Sequence, residues 1–245
     1  MSAATVALVT GANKGIGRET ARRLALRGAT VLLASRDPDR GAEAARTLAG
    51  EGVRVRPVRL DVTEAESVTA VAARITQEYG RLDVLVNNAG TFLGARATDT
   101  TGAVMQDTLA VNVVGVVTVI HALLPLLRSA PAPRIVNVSS TTASIGLTAD
   151  GSDLPGDASL RLAYASSKAA LNMLTVQYAR AFAEDPELAH LKINAASPGY
   201  TATDMNAFRG TRSVEEGARA VVELATLPDD GPTGGFFDDR GRVAW

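Results

Sequence analysis

The chain has 245 residues, 46% hydrophobic and 21% charged, which suits one large α/β domain or two small ones with a sizeable core. Its 25 basic and 26 acidic side chains give a net charge of −1, which argues against a nucleic-acid partner because such proteins usually carry a basic excess. The absence of cysteine excludes disulfides, thiolate metal sites and a cysteine nucleophile.

The N-terminal segment lacks the features of a secretory signal. No basic residue precedes the apolar run at 6–9, and the run ends at a glycine-rich turn. The most apolar later stretch, 111–127, contains Asn112, His121 and Pro125 and is shorter than a comfortable membrane span, so we predict a buried helix. We therefore expect a cytoplasmic protein without a membrane partner.

Short β-branched runs alternate with longer segments of helical periodicity along the chain. Strands are predicted at 6–10, 30–34, 53–60, 82–86, 134–139 and 191–195. Helices are predicted at 18–27, 40–51, 64–79, 102–128, 160–184 and 214–227, with a short tail from 234. The polar stretch 146–157 is interpreted as a loop. This alternation predicts one doubly wound, Rossmann-type α/β domain over 1–245, with about seven parallel strands in the order 3-2-1-4-5-6-7.

A glycine-rich turn follows the first strand and opens the first helix. Its spacing, Gly-x-x-x-Gly-x-Gly, is a variant of the dinucleotide-binding fingerprint. Glycine lets the backbone approach a pyrophosphate, whose charge is stabilised at the helix N-terminus. The alternative is that the glycines serve only a tight turn. The residues predicted to bind the dinucleotide here are Gly11, Asn13, Lys14, Gly15, Ile16 and Gly17.

Arg36, at the end of the second strand, indicates which dinucleotide is bound. An acidic residue there would bind the ribose 2′-hydroxyl of NAD, whereas arginine suits the 2′-phosphate of NADP. Lys14 would bring a second cation to the same phosphate. Asp37 offers Arg36 a competing ion pair, and an arginine on its own is often only a solvated surface residue. With both cations present, we predict NADP(H) as the cofactor.

Further motifs recur in order along the rest of the chain. They are Asn-Asn-Ala-Gly at 87–90, Asn112 in a long helix, Ser139-Ser140 on the fifth strand, Tyr164 with Lys168, and Ser-Pro-Gly at 197–199. Together they resemble the short-chain dehydrogenase/reductase family over essentially the whole chain. The glycine turn and the ending from 234 to Trp245 resemble its carbonyl-reductase-like branch most.

The resemblance implies NADPH-dependent reduction of a small-molecule ketone or aldehyde by hydride transfer. It implies that the catalytic residues are Asn112, Ser140, Tyr164 and Lys168. It also implies cofactor contacts from Asp61, Val62, Asn87, Ala89, Gly90, Tyr164, Lys168, Pro198, Gly199, Thr201 and Thr203.

Tyr164 and Lys168 are four residues apart, so on one helix they project from the same face. A free tyrosine, with a pKa of about 10, is a sluggish proton donor, and a nearby cation is expected to lower that pKa. Ser140 would donate a hydrogen bond to the substrate oxygen as charge develops. Asn112 must find a hydrogen-bond partner if it is buried. The resemblance implies that it supports a water molecule through which, with Lys168, the proton is returned. Each of these residues taken alone is compatible with a structural role.

The chain departs from the family pattern between Ser140 and Tyr164. These residues are 24 positions apart, against about a dozen in many members, which places an insertion near 143–160. The segment 148–153 is polar and predicts a solvated loop. Leu154, Leu160 and Leu162 are predicted to cover the outer faces of the two long helices, through which ordinary members form tetramers. We therefore expect a monomer, with a homo-oligomer as the alternative.

Three alternatives remain open from the sequence. A 3-oxoacyl-type reductase or an alcohol dehydrogenase of the same family would use the same residues. An NADP-sensing or scaffold protein of this fold would be expected to lack Tyr164 or Lys168, and both are present. His121 and His190 are far apart in the sequence, and without cysteine they predict no metal site.

Overall fold

One sheet runs through the molecule in a computed structural model that describes residues 4–152, 154 and 156–245. Its strands are β1 Val6–Val9, β2 Thr30–Ser35, β3 Val55–Arg59, β4 Val84–Asn87, β5 Arg134–Val138, β6 Lys192–Ala196, β7 Phe236–Asp238 and β8 Gly241–Arg242. They lie in the order β3-β2-β1-β4-β5-β6-β7-β8, giving a single α/β domain. The predicted order is confirmed, and β8 is a short antiparallel addition beside β7.

Helices cover both faces of the sheet. They are α1 Gly15–Leu26, α2 Pro38–Ala49, α3 Ala65–Tyr79, α4 Gly102–Leu109, α5 Gly115–Arg128, α6 Ile145–Ala149, α7 Leu162–Glu184 and α8 Val214–Ala225. One core contains residues of α3, α5 and α7, and the other contains residues of α1, α2 and α8. Alternate residues of β1 point into each, with Leu8 in the first and Val9 in the second. Burial on both faces explains why this strand is apolar without alternation.

The segment predicted as a loop at 146–157 overlaps helix α6, which the sequence pattern did not predict. Ser144 begins this helix, since its side chain accepts a hydrogen bond from the Leu147 N–H. Such a cap stabilises a single helical turn that is too short to show apolar periodicity. Asp153 and Pro155, which belong to the predicted insertion, and residues 1–3 of the N-terminal segment lie outside the described residues.

The long helix predicted at 102–128 is present but is not uniform. Between α4 and α5, residues Ala110–Val114 form a π-helical turn. Within the described residues, Gly102–Arg128 is the one helix that is long and apolar enough to cross a membrane by length and composition alone. A core helix passes the same test, and Val119, Ile120 and Leu123 of this helix are fully buried in the core that contains α3 and α7.

Candidate active site

A cleft of about 620 Å³ opens at the carboxyl ends of the parallel strands. Residues that follow β1, β2, β3, β4 and β5 line it, together with side chains of α7. In the sheet, β1 lies between β2 and β4, so the strand order reverses beside it. Open α/β sheets bind ligands at such a point because the loops on either side diverge and leave a crevice.

In the turn after β1, two glycine positions are packed so closely that they have no room for a side chain. A Cβ at Gly11 would lie 2.9 Å from the Ala89 Cα, and one at Gly17 would lie 2.4 Å from the Asn88 Nδ2. The Asn88 Nδ2 also donates to the carbonyls of Thr10 and Gly11, at 2.9 and 3.1 Å. The turn is therefore held against the Asn-Asn-Ala-Gly motif, with its glycine backbone on the cleft wall. This arrangement fits a dinucleotide pyrophosphate.

Asp37 does not compete for Arg36. Its carboxylate accepts hydrogen bonds from the backbone N–H groups of Asp39 and Arg40 at the start of α2, and it forms an ion pair with the Arg40 side chain at 3.2 Å. Arg36 is exposed and lines the cleft. Its guanidinium is thus available to an anionic ligand at this end of the cleft.

Lys14 has an acidic neighbour in the cleft, Asp204. Its Nζ lies 3.5 Å from an Asp204 carboxylate oxygen, and both side chains are about half exposed.

Burial alone would raise the pKa of Asp61, but hydrogen bonds from Thr63 and the charge of Arg36 hold it below its ordinary value. Asp61 is therefore an acceptor in the same part of the cleft.

Helix α7 and the end of β5 bring Ser140, Tyr164 and Lys168 together. The Lys168 Nζ donates to the Val138 carbonyl at 2.8 Å and lies 5.7 Å from the centre of the Tyr164 ring. The Ser140 hydroxyl is hydrogen-bonded to the Tyr164 side chain and also accepts from the Thr142 N–H at 3.2 Å. The predicted i,i+4 placement on one helix face is thus present.

The protonation of Tyr164 and Lys168 differs from the expectation. Burial raises the pKa of Tyr164 to about 12, and the hydrogen bond with Ser140 offsets only part of this rise. Burial also lowers the pKa of Lys168 to about 8. The expected lowering of the tyrosine pKa by the lysine is therefore not seen, because removal from water dominates and only the hydrogen bond with Ser140 opposes it. At neutral pH, Tyr164 retains its proton.

Asn112 lies in the π-helical turn and is fully buried. Its Oδ1 accepts from the Thr91 N–H at 2.8 Å, and its Nδ2 donates to the Thr91 carbonyl and the Ser167 hydroxyl at 3.0 and 2.9 Å. The Ser167 hydroxyl in turn donates to the Tyr164 carbonyl at 2.7 Å. Both amide protons of Asn112 are thus occupied by protein atoms, so its side chain ties the loop after β4 to α7.

Most of the residues predicted to bind the cofactor line the cleft: Gly11, Asn13, Lys14, Gly15, Ile16, Gly17, Arg36, Asp61, Val62, Ala89, Gly90, Tyr164, Lys168, Pro198 and Thr203. Three predicted residues are not on its wall. Asn87 is buried and donates to the Asn137 side chain. Side chains alternate between the two faces of the sheet along β4, and that of Asn87 points to a covered face and not to the cleft. Thr201 is buried and donates to the Pro198 carbonyl, and Gly199 packs against Arg212.

Several residues of the cleft were missed from the sequence. Phe92 packs edge-on against the Tyr164 ring, with 5.5 Å between ring centres. Asn88 and Thr91 flank residues that were predicted, so the glycine motif carried a signal for them. The loop segments 91–100 and 202–212 were expected to line the pocket without any residue being singled out, and Phe92, Leu93, Asp204 and Met205 belong to them, whereas Asp107 on α4 carried no signal. The cleft residues that were not singled out individually are Leu60, Thr63, Asn88, Thr91, Phe92, Leu93, Asp107, Val111, Val138, Ser139, Asp204 and Met205.

The described part of the insertion leaves apolar residues of the long helices exposed. A Cβ at Gly94 would lie 3.8 Å from the Leu160 Cβ, and the Ser144 hydroxyl donates to the Trp245 carbonyl at 3.0 Å. These contacts place the described part of the insertion against the loop after β4 and the C-terminal tail. Val114 and Met173 on the long helices remain 59% and 58% exposed. The predicted covering of the helices is therefore wrong for these residues.

Comparison with known proteins agrees with this geometry. A family model described as short chain dehydrogenase matches residues 5–213. The chain is 35% identical to the NADPH carbonyl reductase 1 of Rattus norvegicus, over 98% of both chains. It is 34% identical to a (+)-neomenthol dehydrogenase of Arabidopsis thaliana, over 97% of both. The structure of an NADPH-bound carbonyl reductase from chicken fatty liver is 28% identical over both whole chains, with a TM-score of 0.84. The chain belongs to the short-chain dehydrogenase/reductase family, in its carbonyl-reductase-like branch.

Proposed function

We propose that the protein uses NADPH to reduce the carbonyl group of a small-molecule ketone or aldehyde to an alcohol. The observation that carries this proposal is the arrangement of Tyr164 and Lys168 in a dinucleotide-type cleft that also holds Arg36, with Ser140 beside the Tyr164 side chain. A relative at 35% identity is named as an NADPH carbonyl reductase, and a structural neighbour is an NADPH-bound carbonyl reductase.

The cleft fits NADPH at several points. The side-chain-free surface of Gly11, Gly15 and Gly17 would lie against the pyrophosphate, at the N-terminus of α1. Arg36 would bind the 2′-phosphate, with Lys14 contributing once it leaves Asp204. When bound, NADPH supplies the hydride that reduces the carbonyl carbon.

Tyr164 is the proposed proton donor. With its pKa raised to about 12 the phenol is protonated at neutral pH, and the substrate oxygen becomes basic enough to take that proton as negative charge develops on it. The Ser140 hydroxyl would donate a hydrogen bond to the same oxygen. Lys168, with a pKa of about 8, is charged at neutral pH and opposes the charge left on the phenolate.

The remaining predicted residues take supporting roles in this proposal. Asn112 would hold the loop after β4 at the distance from α7 that the substrate requires, since its amide bonds both Thr91 and Ser167. The domain would span 1–245, with the insertion near 143–160 lying beside the loop after β4 and the C-terminal tail. We place the enzyme in the cytoplasm. No observation favours a 3-oxoacyl or sensing role.

The test is a panel of ketones and aldehydes assayed with purified protein for consumption of NADPH and, separately, of NADH. The expected result is oxidation of NADPH with at least one carbonyl, at a higher kcat/KM than with NADH. Tyr164→Phe is the control for reduction by the proposed site. Tight NADPH binding without reduction of any carbonyl would instead support a sensing role.

A further inference from the structure

Buried polar contacts join the end of β5 to α7 beside the catalytic groups. The Val138 carbonyl accepts from Lys168, and Ser140 is hydrogen-bonded to Tyr164. Between Val138 and Ser140 lies Ser139, whose hydroxyl donates to the Asn172 Oδ1 at 2.6 Å. Three consecutive residues are thus each held by a different side chain of one helix.

Asn172 is buried, with 4% of its surface exposed. It has no part in the mechanism described so far. Its Oδ1 is used by Ser139, but its Nδ2 has no hydrogen-bond partner among the described residues. A buried amide with an unsatisfied N–H group is unfavourable, and an apolar residue of similar size would avoid that cost. The single bond to Ser139 is what the asparagine provides in exchange.

The position of this bond connects it to the reaction. Asn172 lies four residues after Lys168, so both belong to one face of α7. Ser139 lies on the cleft wall between the carbonyl that holds Lys168 and the hydroxyl that contacts Tyr164. Rotation of the peptide at Ser139 would move both of these groups.

We infer that Asn172 is a positioning residue for the reduction: through the Ser139 hydroxyl it fixes the end of β5 against α7, and so aligns Lys168 and Ser140 with Tyr164. This inference rests on the proposed function. Asn172 touches neither substrate nor cofactor in it, and acts only through the strand. Its loss should therefore lower kcat and leave KM for NADPH nearly unchanged.

The chain offers a matched control on the same strand and helix. The Asn137 Nδ2 donates to the Thr175 hydroxyl at 2.9 Å, and both residues are buried. Neither Asn137 nor Thr175 lines the cleft. Thr175→Val therefore removes a buried β5–α7 hydrogen bond of the same kind without acting on the residues around Lys168.

The experiment compares Asn172→Leu, Ser139→Ala, the double variant and Thr175→Val. We expect kcat to fall about tenfold in each single variant of the first pair, and by no more in the double variant, because both remove the same bond. KM for NADPH should stay within about twofold, since the loss is not in ground-state binding. Thr175→Val also removes a buried hydrogen bond between β5 and α7, but kcat should stay within about twofold of that of the unchanged protein.

A second readout does not require turnover. The chain's lysines are Lys14, Lys168 and Lys192, so protein with ¹³C-labelled lysine gives few side-chain signals to assign. Asn172→Leu and Ser139→Ala should both shift the Lys168 signal, while Thr175→Val should leave it in place. If Asn172→Leu does not fold, Ser139→Ala carries the comparison, because it removes a single oxygen atom.

Other results would overturn the inference. An unshifted Lys168 signal in Ser139→Ala, a multiplied loss of kcat in the double variant, or an equal loss in Thr175→Val would each show that Asn172 only packs. Failure of the proposed function has a different signature: the unchanged protein would reduce none of the carbonyls, and the Lys168 signal would still report whether Asn172 holds the site together.

Discussion

The two ends of the cleft are built by different means. At the nucleotide end, backbone approaches backbone, and a Cβ at Gly11 would lie 2.9 Å from the Ala89 Cα. At the catalytic end, side chains of α7 bond the end of β5, as in the contact from Lys168 to the Val138 carbonyl. The first end depends on residues that lack a side chain, and the second on hydrogen bonds between buried polar groups. Substitutions at the two ends should therefore affect different quantities, cofactor affinity at one and turnover at the other.

The largest expected effect separates turnover from binding at the catalytic end. Tyr164→Phe keeps the ring that packs against Phe92 but removes the proton donor, so turnover should fall about a hundredfold or more. The affinity for NADPH, measured by fluorescence titration, should change little. Turnover close to that of the unchanged protein would contradict the assignment of Tyr164.

A smaller effect, on cofactor affinity and not on turnover, is expected at the nucleotide end. Arg36→Asp removes a charged hydrogen-bond donor, worth about 1.5–3 kcal/mol, so the Kd for NADPH should rise roughly tenfold to a hundredfold. The affinity for NADH should be preserved or improved. Arg40→Ala is the control, because Arg40 is already paired with Asp37. Equal kcat/KM for NADPH and NADH in the unchanged protein would count against a role for Arg36.

The smallest effect on turnover is expected on the outer face of the long helices, away from both ends of the cleft. The prediction of a monomer assumed that the insertion covers the long helices, but Val114 and Met173 on these helices are exposed. An exposed apolar face favours the alternative, a homo-oligomer. Light scattering at micromolar concentration should give a multiple of 25.4 kDa, and Met173→Glu should reduce it with little change in kcat. A mass of 25.4 kDa for the unchanged protein would restore the monomer.

How far the sequence predicted the structure depends on whether a feature is local. The glycine turn and the Tyr164–Lys168 face follow from spacing along the chain, and the strand order follows from the alternation of strands and helices with right-handed crossovers; each is present. Asn87 was misplaced because the motif does not show which of two adjacent asparagines faces the cleft. Phe92, on a loop, has no periodic neighbours to indicate its direction.

The protonation states and the insertion show what spacing cannot supply. The pKa of Tyr164 depends on how completely water is excluded, which is a property of the assembled site. The leucines of the insertion were predicted to cover the long helices. In the structure Leu160 lies near Gly94, and the Ser144 hydroxyl donates to the C-terminal tail. A loop of this length reaches several surfaces, and its sequence does not choose among them.

The π-helical turn at Ala110–Val114 has a consequence for the register of everything that follows it. Such a turn holds one residue more than an α-helical turn, so it offsets the angular phase of α5 from that of α4 by about 100°. The α4 side presents Asp107 and Val111 to the cleft, while α5 buries Val119 and Ile120 against the sheet. Deleting one residue here would restore a regular α-helical turn yet rotate one of these two faces out of place. The length of this turn is therefore as much a part of the site as the asparagine at its centre.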